Sequence, residues 1–239
     1  PARTIGQVCA GEHGDFAMGS GEMSSEEFRE FLSQVMKQLC RFSEPGSIHD
    51  HFMDWRHAPE ILAAGEAHYA ELKNLCVWVK DRPGMGAFYR SQHELIFVFK
   101  NGDAKHTNNF GLGQHGRTRS NVWCYPSVRS LDPSDGDPAS KGALQLHPTI
   151  KPVRLIEDAI LDCSRRDEII LDPFLGSGST LIACEKTQRI LDGIEISPRY
   201  VDVAITRWQK WTGREAVHAE SGATFSALAE ERGKEVNDA

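Results

Sequence analysis

A chain of 239 residues, 40% hydrophobic and 26% charged, can bury one substantial core, which excludes a disordered or fibrous protein. Six cysteines scattered without a Cys-x-x-Cys pair argue against structural zinc and fit reduced thiols, and no signal-peptide pattern or membrane-length apolar run occurs in these residues. The net charge of −7 is adverse for a nucleic-acid binder, yet residues 80–130 carry eight Lys/Arg against three Asp/Glu, a local +5, so acid and base are segregated along the chain.

Residues 1–21 are polar, glycine-rich and without period, and read as a loop. Ser24-Ser-Glu-Glu27 is a capping box that opens a helix with apolar positions Phe28, Phe31, Leu32, Val35, Met36 and Leu39, stopped by Pro45-Gly46; this helix reads as core packing. Residues 47–53 alternate as a short strand with His49 and His51 on one face. With Asp50, Asp54 and His57 nearby a metal centre is conceivable, but no further ligand spacing supports it, and a strand whose polar end faces a cleft is the better reading. A helix from about Pro59 to Leu72 leads into a buried strand over 74–80, and residues 88–102 predict a long strand. Regular period then disappears as far as Leu146. This stretch holds Asn108, Asn109, Arg117, Arg119, Trp123 and Tyr125, residue types that contact phosphates and base edges, and a structureless insert of such length is usually functional; a solvated loop is the alternative.

His147-Pro-Thr-Ile-Lys151-Pro152 leads into a helix with Val153, Leu155, Ile156, Ile160 and Leu161 on one side. The apolar run Ile169, Ile170, Leu171 stops at Asp172-Pro173, passes through Gly176-Ser-Gly178 and resumes at helical spacing at Leu181, Ile182 and Cys184: a strand, a glycine turn and a helix. Glycines allow positive φ and close approach of a ligand, and the free N–H groups of the helix start favour a polar or anionic guest. A second apolar run ends at Glu195, about twenty residues on, where a βαβ unit places a carboxylate against the ribose hydroxyls of a nucleoside cofactor. No Gly-Lys-Ser/Thr follows the glycines, which turns the reading away from a nucleoside triphosphate, and a purely structural turn is the alternative. Tyr200, Val203, Ala204 and Trp208 then mark a helix, residues 215–218 a short last strand and 223–232 a terminal helix, with 234–239 frayed.

Three motifs in this order and spacing, His147-Pro-Thr-x-Lys-Pro, Asp172-Pro-Phe-x-Gly-Ser-Gly-Ser-Thr and Gly193-Ile-Glu-Ile-x-x-x-Tyr200, resemble the cofactor half of the β-group DNA amino-methyltransferases, which use S-adenosylmethionine on adenine N6 or cytosine N4. The resemblance covers about Gly6 to Arg232. It implies an α/β fold, a Rossmann-like doubly wound methyltransferase sheet with an antiparallel edge strand and motifs in permuted order. One domain over 1–239 would comprise a target-base half (1–101), a DNA target-recognition insert (102–146) and an S-adenosyl-L-methionine-binding half (147–239).

By the same resemblance, Asp172, Phe174, Gly176, Gly178, Ser179 and Thr180 line the methionine and adenosine pocket, Glu195 holds the ribose, and Thr149, Lys151 and Pro152 close over the methionine end. Arg90 and His93 belong to Arg-Ser-x-His-Glu, similar to a family region near the target base; with Arg117 and Arg119 they are candidate contacts to double-stranded DNA. The family's Asp/Ser-Pro-Pro-Tyr tetrapeptide is expected just before residue 1, and none occurs in residues 1–239, so the catalytic role is assigned to no residue and these residues are expected not to methylate. Adenine N6 is favoured over cytosine N4, and a non-catalytic cofactor- or DNA-binding module is the alternative. A restriction-modification setting, a bacterial or phage origin in the cytoplasm beside the nucleoid, a homodimer and an additional N-terminal domain are compatible with the resemblance; no metal and no membrane is implied.

Overall fold

The computed structural model describes residues 23–84, 88–110, 119–127 and 150–237, so the loop expected over 1–21 and most of the insert lie outside the described residues. Among the described residues six α-helices and six strands follow in order: α1 (Ser25–Phe42), β1 (Ile48–Met53), α2 (Ala58–Glu66), β2 (Glu71–Val79), β3 (His93–Lys100), β4 (Val122–Cys124), α3 (Val153–Cys163), β5 (Ile169–Asp172), α4 (Ser179–Thr187), β6 (Ile190–Gly193), α5 (Pro198–Thr212) and α6 (Phe225–Asn237). The capping box is formed as expected: Ser24 Oγ accepts from Glu27 N and the Glu27 carboxylate accepts from Ser24 N.

Four strands make one sheet in the order β1-β3-β2-β4, and β5 and β6 pair in parallel beside it. Strand β3 runs antiparallel to both β1 and β2, whereas β2 and β4 are parallel. The α/β architecture with a mixed sheet is therefore as expected, but the antiparallel strand lies inside this sheet and not at its edge. Alternation along β3 sends Phe97 and Phe99 to one face, where α1 and α2 supply Leu32, Met36, Ile61 and Ala64. Ile96 points to the other face with Cys76, Trp78 and Trp123, against Leu155, Ile156 and Ile160 of α3 and Ile182 of α4. Ile170 of β5 and Leu191 of β6 pack on that second core, which joins the parallel pair to the four-stranded sheet.

Several boundaries move for reasons of tertiary contact. The α2 helix stops at Glu66 because Gly65 lies beneath the Phe99 ring, 2.3 Å from Phe99 Cζ to where a Cβ would sit, and its carbonyl takes the N–H groups of His68 and Tyr69. Leu72, expected in that helix, is already in β2, opposite Phe99. The long strand expected from residue 88 starts only at His93, since the chain closes a narrow loop by Lys80 N to Gln92 O (2.9 Å) and Gly84 N to Ser91 O (2.8 Å). Within the insert, β4 is regular structure that the periodicity does not show; it reads from β2 by the register Val77↔Val122 to Val79↔Cys124. The expected last strand is a single bridge, Val217↔Thr224, and α6 continues to Asn237 where fraying was expected from 234.

His49 and His51 do not face a cleft. Both turn into the core of α1 and α2, where the Tyr69 hydroxyl sits 2.7 Å from His49 Nδ1 and 2.9 Å from His51 Nε2, and burial drives both imidazoles down, to about 4 and about 3. On the opposite face of β1, burial raises the Asp50 carboxyl to about 7; Asp162 adds to the rise, while the Arg119 guanidinium opposes it. A carboxyl whose folded value lies above its unfolded one is protonated in the folded state and ionised in the unfolded state only between the two values. Its cost is absent below about pH 4, grows as pH rises and levels off above about 7. Asp50→Asn is accordingly expected to raise stability at pH 8 and leave it unchanged at pH 4, the gap widening by up to about 1.4 kcal/mol per unit between, as read by urea unfolding across pH.

Candidate functional site

The strand-turn-helix legible in the sequence is built as β5, a turn over 173–178 and α4. Gly176 and Gly178 take φ of 54° and 82°, and Gly178 is the N-cap of α4. A Cβ at Gly178 would stand 2.8 Å from Ala204 Cβ of α5, so the glycine serves helix packing as well as the turn. From below, the buried Arg207 of α5 donates to the Ser177 carbonyl and, at 3.0 Å, to Ser177 Oγ.

Glu195 crosses the turn from beyond β6. Its Oε2 accepts from Gly176 N at 2.7 Å and its Oε1 from Ser197 N at 2.9 Å, so the carboxylate is fixed by two backbone donors. Asp172 is fixed likewise: Oδ1 accepts from Phe174 N (3.0 Å) and Oδ2 from the Thr180 hydroxyl (2.6 Å). Ser179 Oγ donates to Lys151 O at 2.9 Å, bringing the segment ahead of α3 to the same helix start. Phe174, Ile194 and Ile196 are exposed around these carboxylates, an apolar rim of a kind that receives a flat heterocycle.

Lys151 links the two halves of the chain. Its ammonium stands 4.8 Å from the Phe52 ring centroid and 3.8 Å from Glu94 Oε1, while Glu94 Oε2 takes Lys80 Nζ at 3.1 Å. Lys80 in turn lies over the Trp78 ring at 4.4 Å.

Residues 14–206 match the family model N6_N4_Mtase, described as DNA methylase. The chain belongs to this DNA methylase family. Among relatives, it is 25% identical over 214 residues to the type II methyltransferase M2.DpnII of Streptococcus pneumoniae, covering 84% of this chain and 74% of that one. Identity is 40% over 92 residues with M.ScaI of Streptomyces caespitosus, covering 38% of this chain and 29% of the relative, and 28% over 149 residues with M2.MboI of Moraxella bovis, covering 59% and 51%. The chain thus spans between about a third and a half of the length of those two curated relatives. In fold it is similar to the M1.HpyAVI–SAM complex (TM-score 0.60, 24% identity, 75% of this chain and 82% of that) and to the cytosine-N4-specific PvuII DNA methyltransferase (TM-score 0.64, 13%, 84% and 79%).

Within this DNA methylase domain the residues singled out from the sequence fall into two groups. Lys151, Pro152, Asp172, Phe174, Gly176, Gly178, Ser179, Thr180 and Glu195 lie around one turn, and Thr149 lies outside the described residues. The residues proposed for DNA fall at several places in the chain. Arg117 lies outside the described residues, and His93 opens β3 opposite Val79. Arg90 pins its own loop by donating to Gly84 O at 3.0 Å. Arg119 reaches Asp162 Oδ2 at 2.7 Å and stacks over Trp123 at 4.6 Å, so its guanidinium is engaged at the foot of the insert.

Glu94, Lys80 and Arg207 carry little signal of their own in the sequence, because their partners are remote along the chain; the Arg-Ser-x-His-Glu pattern is the one signal that includes Glu94. Gly178→Ala is expected to lower stability by about 1 to 3 kcal/mol through backbone strain and collision with Ala204, measured as a reduced midpoint in urea unfolding.

Proposed function

We propose that this domain binds S-adenosyl-L-methionine at the glycine turn and serves methyl transfer to the exocyclic amine of a base extruded from double-stranded DNA, with adenine N6 ahead of cytosine N4 as acceptor. One observation carries the reading: Glu195 is held across the turn by Gly176 N and Ser197 N. An ionised carboxylate has about four lone-pair sites, so a second site on each oxygen remains for the two hydroxyls of a ribose. The exposed apolar Ile194 and Ile196 on either side of Glu195 suit the face of an adenine. Family membership supports the same chemistry.

When bound, the cofactor supplies an electrophilic sulfonium methyl. The chain's contribution is position: Glu195 fixes the sugar, Asp172 is kept from rotating by Thr180 and Phe174 N, and Lys151 is held beside the site by Glu94 and Phe52. Fixing two reactants in line contributes about 7 to 11 kcal/mol of the barrier reduction in favourable cases. For residues 1–239 taken alone the proposal is binding without turnover, since no Asp-Pro-Pro-Tyr, Asn-Pro-Pro-Tyr or Ser-Pro-Pro-Tyr occurs among them to accept the amine's hydrogens. The same reading puts the domain in the cytoplasm beside the nucleoid, within a restriction-modification system.

Calorimetry with S-adenosyl-L-methionine tests the cofactor. Glu195→Ala is expected to weaken binding by about 1 to 3 kcal/mol, with Glu195→Gln, which keeps an acceptor for Gly176 N, falling between; unchanged affinity in both variants would remove the ribose assignment. DNA is tested by titration against salt. Arg117→Glu is expected to lower affinity and reduce the salt slope by about one. Arg119→Glu is expected instead to destabilise the fold by roughly 3 to 5 kcal/mol, because it leaves Asp162 facing a like charge.

A further inference from the structure

Phe88 and Tyr89 are adjacent rings with centroids 4.5 Å apart at 71°, yet 88% and 83% of their surfaces stay in water. Among the described residues neither belongs to a core cluster. They stand on a pinned stem: Gly84 N bonds Ser91 O, Gln92 Nε2 donates to Lys80 O at 2.8 Å, and Arg90 Nε holds Gly84 O. The stem leaves the C-terminal end of β2, and through Lys80, Glu94 and Lys151 it is tied to the start of α4, where the glycine turn lies. The rings therefore rise from the same end of the domain as the proposed cofactor pocket.

Resting on the methyl-transfer reading above, we propose that Phe88 and Tyr89 form a stacking platform for an unpaired base of DNA, with Arg82 taking the adjoining phosphate. The neighbours select this partner. The flank is basic: Arg82 is 79% exposed, with its Nε 3.8 Å from Asp81 Oδ2, and the other Asp81 oxygen takes Ser127 N at 2.6 Å. A base offers a π-face to the rings, and the adjoining phosphate meets the guanidinium.

The test measures fluorescence anisotropy of two labelled duplexes, one fully paired and one carrying a single unpaired base, with S-adenosyl-L-methionine affinity followed in parallel. Wild type is expected to prefer the unpaired duplex by roughly five- to a hundredfold, the range of stacking on one or two rings. Phe88→Ala/Tyr89→Ala should abolish that preference and leave cofactor binding and paired-duplex affinity intact; Phe88→Tyr/Tyr89→Phe, which keeps both rings, should retain it. A preference that survives the double alanine variant, or is absent from wild type, overturns the platform while the cofactor reading stands. Self-association of wild type that the double alanine variant dissolves, seen by sedimentation, would assign the rings to a second copy instead and also overturn it. If wild type binds neither cofactor nor duplex, the proposed function falls and the platform with it.

Discussion

The hydrogen bond from Gly176 N to Glu195 is the contact on which the C-terminal part of the domain depends, because it closes β5, α4 and β6 at the end where their chains diverge. It spans 19 residues and joins a backbone donor that requires positive φ to a carboxylate beyond the next strand. Hydrogen bonds to a charged acceptor contribute about 1.5 to 3 kcal/mol, enough to hold a glycine-rich turn that otherwise gains entropy by opening. Two further supports meet it: Arg207 beneath Ser177, and Ser179 on the Lys151 carbonyl. The turn is thus gripped by α5, by the segment ahead of α3 and by the end of β6. That is how a flexible sequence becomes a rigid rim.

A second constraint holds the insert to the body. Asn109 Nδ2 donates to Leu161 O (2.8 Å) and Ser164 O (2.7 Å), capping the C-terminus of α3, while Arg119 reaches Asp162 in the same turn of that helix. Tyr125 donates its hydroxyl to Asp158 at 2.6 Å one turn earlier. Three residues of a stretch with no sequence period thereby register against one helix face. Asn109 and Arg119, of types associated with base and phosphate contacts, are mounts.

Local pattern carried much of the architecture into the sequence. The Ser24 capping box, the apolar spacing of α3 and the β5-turn-α4 passage each depend on residues within one or two helical turns, so periodicity and glycine placement reveal them. Glu195 was legible for a different reason: a βαβ unit has a narrow length, and its last strand ends where that length dictates. What stayed hidden depends on partners far along the chain. Trp78 Nε1 donates to Tyr125 O across 47 residues, and Asn121 Nδ2 reaches Leu75 O across 46, contacts that seat the short β4 beside β2 although three residues show no period. His49 and His51 share a face as expected, but which face depended on Tyr69, a residue without a signal of its own.

Charge pairing bears on the tension between a net −7 and the proposed nucleic-acid partner. Much of the acid in the central region is consumed internally: Asp158 and Asp162 by Arg119, Asp158 and Glu157 by Arg154, Glu157 also by Lys186, and Glu185 by Arg214. At the junction of the two halves the count runs the other way. Lys80 and Lys151 share the single carboxylate of Glu94, and each ammonium rests on an aromatic face that stabilises it without neutralising it. Within the Lys80, Glu94 and Lys151 group two cations face one anion, and the Asp172 and Glu195 carboxylates stand at the adjoining glycine turn. Coulomb attraction at such a partly buried place is several times stronger than in bulk water, so the two ammonium groups hold Glu94 firmly between β2, β3 and the segment ahead of α3.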